Sequence, residues 1–192
     1  MAIKDIHSDL IEGCRKSNRK SQIRVYELYY KAMYNTSFRI VNNSFEAEDI
    51  MQESFIDAFE KIDTFKETGT FGSWLKRIVI NKSLDHIKKN KPEIFSIDEK
   101  DYDVKDYQEA DDSYADHVFY QMKMIYEALD QLPDNYRIIL SLYLFEGYDK
   151  QEIAQILNIS YNNVRTRYSR AKQSLIQMIA QSKKEYLNTL TN

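Results

Sequence analysis

Apolar side chains recur every three or four positions along most of this 192-residue chain, which is the spacing of helices with one buried face. The pattern predicts a short helix near Asp9–Cys14, a long helix over Ser21–Val41, and two more over Phe45–Ile62 and Ser73–Asn90. Runs of alternating residues bounded by turn signals, which would indicate strands, are absent from the sequence. We therefore expect an all-α fold.

The pattern changes after Pro92. Residues 93–116 contain few aliphatic side chains and carry a net charge of −8, whereas residues 1–92 carry +3 and residues 117–192 carry +2. A segment this polar buries too little apolar area to fold alone. We expect two small helical domains, residues 1–92 and 117–192, joined by a flexible acidic linker. Helices are predicted over Tyr114–Leu132 and Asn135–Phe145 at the start of the second domain.

Two further helices joined by a tight turn are predicted between Asp149 and Tyr168. Asp149 and Glu152 have the spacing of a capping box at the start of the first helix. Asn158 stands at the turn, where its short polar side chain tolerates the left-handed conformation. Ser160 is suited to cap the second helix. This arrangement is typical of a helix-turn-helix and predicts a DNA-binding element.

The second of these helices is basic and is expected to extend to about Tyr186. Between Ser160 and Lys172 it has four cationic side chains and no carboxylate. Such cations contact phosphates, whereas polar side chains near the helix start reach base edges. A solvated basic helix or a helical hairpin within a bundle is the alternative. The candidate DNA contacts are Tyr161, Asn162, Asn163, Arg165, Thr166, Arg167, Ser169, Arg170 and Lys172.

Composition argues against an enzyme. Cys14 is the only cysteine, so a thiolate metal cluster and an intramolecular disulfide are excluded. His7, His86 and His117 do not have the spacing of metal ligands, and no glycine-rich phosphate loop is present. We expect no catalytic residue, metal or cofactor. The sequence has no apolar run of about 20 residues and no signal-peptide centre, so a cytoplasmic protein is expected.

Four segments resemble bacterial RNA polymerase sigma factors of the extracytoplasmic-function (ECF) group, in the family's order. They are Ala47–Phe55, Thr70–Asp85, Leu129–Leu140 and the helix-turn-helix. The resemblance covers nearly the whole chain. It implies that residues 1–92 bind core polymerase and read and melt the −10 element, and that residues 117–192 read the −35 duplex.

The third predicted helix has acidic and amide side chains on adjacent turns, which suits a basic protein partner better than DNA. We expect Phe55, Ile56 and Phe59 on its buried side. A solvated helix face is the alternative explanation. The resemblance assigns contact with the clamp helices of polymerase to Glu48, Asp49, Gln52 and Glu53.

The loop before the fourth predicted helix, and that basic helix itself, resemble the family's −10 element. Melting DNA requires a base to leave the stack, and aromatic, hydroxyl and amide groups offset that cost by stacking and hydrogen bonding. Trp74 is either a core residue or a DNA contact, since tryptophan is usually well buried. The candidate −10 contacts are Phe65, Thr68, Thr70, Phe71, Trp74, Arg77 and Asn81.

The resemblance also implies partners. These are core RNA polymerase, through its clamp helices and flap, promoter DNA, and in many members a membrane-bound anti-sigma factor. The linker then either mimics nucleic acid in a basic channel or serves only as a tether. A stand-alone helix-turn-helix regulator, dimeric on symmetric half-sites, is the main alternative function. A protein-binding helical adaptor is a third, and the basic helix argues against it.

Overall fold

The computed structural model describes residues 7–66, 68–92, 94 and 124–190, with side chains described as far as residue 183. Contacts divide the chain into two compact units, Met1–Pro92 and Glu93–Asn192, and each is considered by itself. All regular structure within the described ranges is helical, which confirms the all-α prediction. Within those ranges, no helix combines the length and apolar character needed to cross a membrane. Apart from Ile94, the predicted linker lies outside the described residues.

The described residues of the first unit form four α-helices and one short 3-10 helix. They are α1 (Ser8–Arg15), α2 (Arg19–Val41), α3 (Ser44–Glu60), the 3-10 helix (Ile62–Thr64) and α4 (Phe71–Asn90). The order agrees with the sequence prediction, and the differences lie at the helix ends.

Side-chain caps explain where α2, α3 and α4 begin. The Asn18 side chain accepts hydrogen bonds from the backbone N–H groups of Lys20 and Ser21, so α2 begins two residues earlier than predicted. Asn43 caps α3 in the same manner. The Thr70 hydroxyl accepts from the Ser73 N–H, so α4 begins at Phe71 rather than Ser73. Each cap satisfies a backbone donor that has no partner within its helix.

The core of the first unit lies where α2, α3 and α4 pack on one another. Met33 of α2, Phe55 of α3 and Leu75 of α4 are all buried there. The buried Ser83 hydroxyl of α4 donates to the Ser37 Oγ of α2 at 3.0 Å. These small side chains let the two helices approach closely while their polar atoms stay hydrogen-bonded.

The second unit has four helices in its described part. Helix α5 is described over residues 124–131, and α6 (Asp134–Leu144), α7 (Lys150–Leu157) and α8 (Tyr161–Leu190) follow. Helix α8 continues four residues beyond the predicted end at Tyr186. Its buried side packs against α5 and α6 in a core formed by Ala128, Leu129, Leu132, Leu140, Ala171 and Leu175.

The helix-turn-helix of the second unit has the predicted local geometry. The Asp149 Oδ1 accepts hydrogen bonds from the N–H groups of Gln151 at 2.7 Å and Glu152 at 2.8 Å. The Glu152 Oε2 accepts from the Asp149 N–H at 2.8 Å, which completes the capping box. Asn158 is left-handed, with φ of 56°, and the Ser160 Oγ accepts from the Asn163 N–H. These contacts set the direction in which α8 leaves the turn.

Replacing Asp149 with Ala is expected to lower the free energy of unfolding of the second unit by about 1 kcal/mol, because the cap is lost. Thermal unfolding followed by circular dichroism measures the change. Asp149→Ser is the matched control, since serine also caps helices and should keep most of the stability. If Asp149→Ala were as stable as the wild-type chain, the capping box would contribute nothing.

Candidate protein and nucleic-acid interfaces

The four predicted polymerase contacts of α3 lie together on its outer side. Glu48, Asp49, Gln52 and Glu53 are all exposed. The Gln52 Nε2 donates to the Glu48 Oε1 at 3.3 Å, so two of them are held along one edge of the helix. An exposed row of acceptors on a rigid helix is suited to basic side chains of another protein.

Two exposed apolar residues, Phe45 and Ile56, share this acidic face. Of the three α3 residues predicted to be buried, Phe55 is buried and Phe59 is partly buried against the core. Ile56 is 58% exposed, so the prediction that it is buried was wrong, because it lies about 100° around the helix from Phe55. Phe45 is 80% exposed at the start of α3. Sequence reasoning missed these two residues, although Phe45, Asp49, Gln52 and Ile56 have the spacing of one helix face.

Phe45 borders an open groove of about 440 Å³ between α2 and α3. The rings of Tyr26 and Tyr30 stack beside it, with their centroids 5.6 Å apart. The groove therefore offers aromatic surface directly next to the acidic face. Its lining residues are Tyr26, Tyr30, Lys31, Tyr34, Asn35, Ser44, Phe45, Glu48 and Met51.

Ion pairs connect α3 to α4. The Lys82 Nζ lies 3.2 Å from the Glu53 Oε2 and 3.4 Å from the Asp57 Oδ2. Lys61 also pairs with Asp57, at 3.2 Å. Burial disfavours the charged form of both Asp57 and Lys82, but the hydrogen bonds and opposite charges outweigh it. The pKa of Asp57 is therefore lowered and the pKa of Lys82 is raised.

The aromatic rings expected to contact −10 DNA lie in the core instead. Phe65 is 4% exposed and Phe71 is fully buried. Their rings pack edge to face, with centroids 5.7 Å apart, and each lies 5.5 Å from the Trp74 ring. The Arg15 guanidinium donates to the Phe65 carbonyl oxygen at 2.9 Å. The prediction that these two phenylalanines contact DNA is corrected, because neighbouring side chains cover both rings.

The other −10 candidates stand on the surface. Thr68, Thr70, Arg77 and Asn81 are exposed. The Thr70 hydroxyl serves mainly as the α4 cap, because it accepts from the Ser73 N–H at 3.2 Å. Trp74 is partly buried, with its ring against the phenylalanine pair, so it packs on the core and keeps some accessible surface.

The predicted DNA contacts of α8 differ in how exposed they are. Tyr161, Asn162 and Arg165 are exposed. Partly buried candidates are Asn163, Thr166, Ser169, Arg170 and Lys172. The outward residues recur at spacings of three and four, which places them on one face.

Arg167 is the exception among the α8 candidates. It is 1% exposed, and its guanidinium donates to the Ile94 carbonyl oxygen at 3.0 Å. It follows Val164 by three residues and precedes Ala171 by four, and both of these are buried, so the helix repeat turns it inward. The prediction that Arg167 contacts DNA is corrected on this ground.

Metal coordination has no support in the described part of the chain. No group of three or more His, Cys, Asp or Glu side chains there is arranged to hold a metal ion. Cys14 is buried in the core of the first unit, and burial raises the pKa of its thiol. Its side chain therefore contributes to packing.

Comparison with known proteins identifies both halves of the chain. The family Sigma-70 region 2 matches residues 25–93, and the family Sigma-70, region 4 matches residues 122–175. The chain is 30% identical over 173 residues to the ECF RNA polymerase sigma factor SigW of Bacillus subtilis, covering 86% of this chain and 92% of that protein. It is 33% identical to the RNA polymerase sigma factor SigV of the same species, covering 72% and 78%.

A solved structure shares the fold. The sigma factor RpoE of Bartonella quintana, determined with the anti-sigma factor NepR, matches 82% of this chain and 95% of its own chain, with a TM-score of 0.53 and 20% identity. Both sigma regions thus occur in the family's order, and one full-length relative reaches 30% identity. The chain belongs to the extracytoplasmic-function group of RNA polymerase sigma factors.

Proposed function

We propose that this sigma factor directs promoter-specific initiation by binding core RNA polymerase and two unlike DNA elements. Residues 1–92 bind polymerase and the melted −10 element, residues 93–116 form the linker, and residues 117–192 bind the −35 duplex. The main support is that one chain carries an exposed acidic face in one unit and, in the other, a helix-turn-helix whose second helix has Arg165 exposed and Arg170 and Lys172 partly exposed. Polymerase supplies the catalysis, and this chain acts in the cytoplasm as a DNA-binding regulatory protein without enzymatic activity of its own.

The polymerase interface is proposed to centre on α3. Glu48, Asp49, Gln52 and Glu53 present acceptors for basic side chains of the clamp helices. The exposed Phe45 and Ile56 add apolar area at the edges of the same face. Charges guide association and select the partner, whereas buried aromatic groups supply most of the affinity.

For the −10 element, the proposed contacts are the exposed Thr68, Arg77 and Asn81, with part of Trp74. Phe65 and Phe71 contribute indirectly, because their packed rings anchor the two ends of the loop in the core. For the −35 element, Asn162 and Arg165 reach base edges in the major groove, and the partly exposed Arg170 and Lys172 bind phosphates.

The alternative, a stand-alone regulator, is distinguished by a gel shift with and without core polymerase. A sigma factor binds its promoter tightly only when polymerase is present, whereas a stand-alone regulator binds symmetric half-sites by itself.

An anti-sigma factor is a further proposed partner, because the RpoE structure contains one. The decisive experiment is run-off transcription from a random promoter library with core polymerase. If the chain starts no transcription there, the proposal fails.

Replacing Asp49 and Gln52 with Ala is expected to weaken core polymerase binding by about 1.4 kcal/mol or more, a tenfold rise in Kd. Both side chains are exposed, so folding should be unaffected. Fluorescence anisotropy of labelled protein titrated with polymerase gives the Kd. Glu27→Ala, which removes an exposed carboxylate of α2 paired with Arg24, is the control. Unchanged affinity of the double variant would count against the α3 assignment.

Replacing Phe45 with Ala should weaken polymerase binding by at least about 1 kcal/mol, because aromatic anchors supply much of the energy of an interface. Thermal stability should hardly change, since the ring is mostly exposed in the free protein. The control is Ile23→Ala, which removes a half-exposed apolar side chain of α2. If both variants bind polymerase equally well, Phe45 lies outside the interface.

Replacing Arg165 with Ala is expected to weaken −35 binding by about 1–3 kcal/mol if its guanidinium pairs with guanine. Arg165→Lys separates the two possible roles, because lysine keeps the phosphate contact but loses the bidentate geometry. Footprinting of the polymerase complex on wild-type and −35-mutated promoters measures both affinity and discrimination. A −35 footprint unaltered by either substitution would remove this role.

A further inference from the structure

Four charged side chains form a cluster where α3 meets α4. Glu53 and Asp57 come from α3, Lys82 comes from α4, and Lys61 follows the end of α3. Lys82 lies within ion-pair distance of both carboxylates, and Lys61 pairs with Asp57. The formal charge of the cluster is therefore zero. Of the two carboxylates, Glu53 is mostly exposed whereas Asp57 is largely covered, so Glu53 is the one that a basic partner reaches first.

Each end of this bridge belongs to a different proposed interface. Glu53 lies on the acidic face of α3, and Lys82 follows directly after Asn81 on the basic helix α4. Glu48 lies on the same acidic face but accepts a hydrogen bond from Gln52 instead. The ion pair between Glu53 and Lys82 thus joins the polymerase-binding surface to the DNA-binding helix directly.

We propose that Lys82 is a DNA-binding residue that exchanges Glu53 for a DNA phosphate when polymerase binds. In the free protein Glu53 neutralises Lys82. When a basic side chain of polymerase pairs with Glu53, the remaining cluster of Lys61, Lys82 and Asp57 carries a net charge of +1, and Lys82 contacts the backbone of melted DNA. This inference rests on the proposed function, because it requires that polymerase bind the acidic face.

Energetics favour an easy exchange. The Glu53 side of the pair is exposed, so water screens the pair and makes it weak, and polymerase displaces Glu53 from Lys82 at little cost. Burial disfavours the charged form of Lys82, but the hydrogen bond with Glu53 and the charges of Asp57 and Glu53 raise its pKa. The Lys82 Nζ also lies 3.4 Å from the Asp57 Oδ2, a contact that does not involve Glu53. Asp57 therefore keeps the ammonium group at the edge of α4 after Glu53 has left. A phosphate contact made there adds affinity without sequence preference.

The test replaces Glu53 with Gln in the full chain and measures binding to a short oligothymidylate at several salt concentrations. Glu48→Gln is the matched control, since it removes one charge from the same face but leaves Lys82 paired. Glu53→Gln should raise the affinity up to about fivefold more than Glu48→Gln, the factor of one exposed ion pair. It should also steepen the salt dependence by about 0.7 in log–log slope, which corresponds to one phosphate contact on a single strand.

The same pair of substitutions is then made in a Lys82→Gln background, where Glu53→Gln should lose its advantage over Glu48→Gln.

A second experiment uses the complex with core polymerase and a forked DNA that has a duplex part and a single-stranded part. Lys82→Gln alone should make the log–log salt dependence of binding to this DNA shallower by about 0.7 in slope. The free chain should show a smaller change. Lys82→Arg keeps the charge and guards against a folding defect. NMR titration should show the pKa of Asp57 rising in Lys82→Gln, which checks the cluster in solution.

Equal effects of Glu53→Gln and Glu48→Gln on DNA affinity would overturn the exchange. In that case Lys82 only joins α3 to α4, and its loss lowers thermal stability without a specific effect on DNA. The oligothymidylate measurements use no polymerase, whereas the proposed function is tested by polymerase-dependent transcription. A failure of one is therefore distinguishable from a failure of the other.

Discussion

The packing of Phe65, Phe71 and Trp74 under the loop before α4 is the constraint on which the first unit's surface depends. Phe65 ends the segment that follows α3, and Phe71 begins α4, so both ends of the loop are fixed in the core. Burying one such ring contributes about 1.5–3 kcal/mol, and the Arg15 hydrogen bond adds a polar attachment. Because the buried rings fix both ends of the loop in the core, the hydroxyls of the loop and the outer side of α4 remain exposed.

The two units carry charged surfaces of opposite sign, which the net charge of the chain conceals. The acidic face of α3 and the outward face of α8 have opposite signs, and each suits a partner of the other sign. Charge alone rarely gives tight association, because water screens exposed pairs. In the proposed polymerase interface, the exposed apolar groups Phe45 and Ile56 add the contact area that the carboxylates lack. Affinity and selection would then come from different side chains of one helix.

Local features of this fold could be predicted from sequence, and long-range ones could not. The caps at Asp149 and Ser160 and the turn at Asn158 were predicted because each involves backbone groups only a few residues away. The exposure of Ile56 was missed because it depends on which side of α3 meets the rest of the unit. Family resemblance locates a motif but does not say which of its side chains point inward, and Phe65, Phe71 and Arg167 show this limit.

The buried guanidinium of Arg167 has a practical consequence for dividing the protein. Its hydrogen bond to the Ile94 carbonyl connects α8 to a residue 73 positions earlier in the sequence. Charged groups inside a protein are tolerated only when acceptors surround them. A C-terminal fragment that begins after residue 94 would lack one of these acceptors, so a fragment intended for isolated promoter-binding work should start upstream of Glu93.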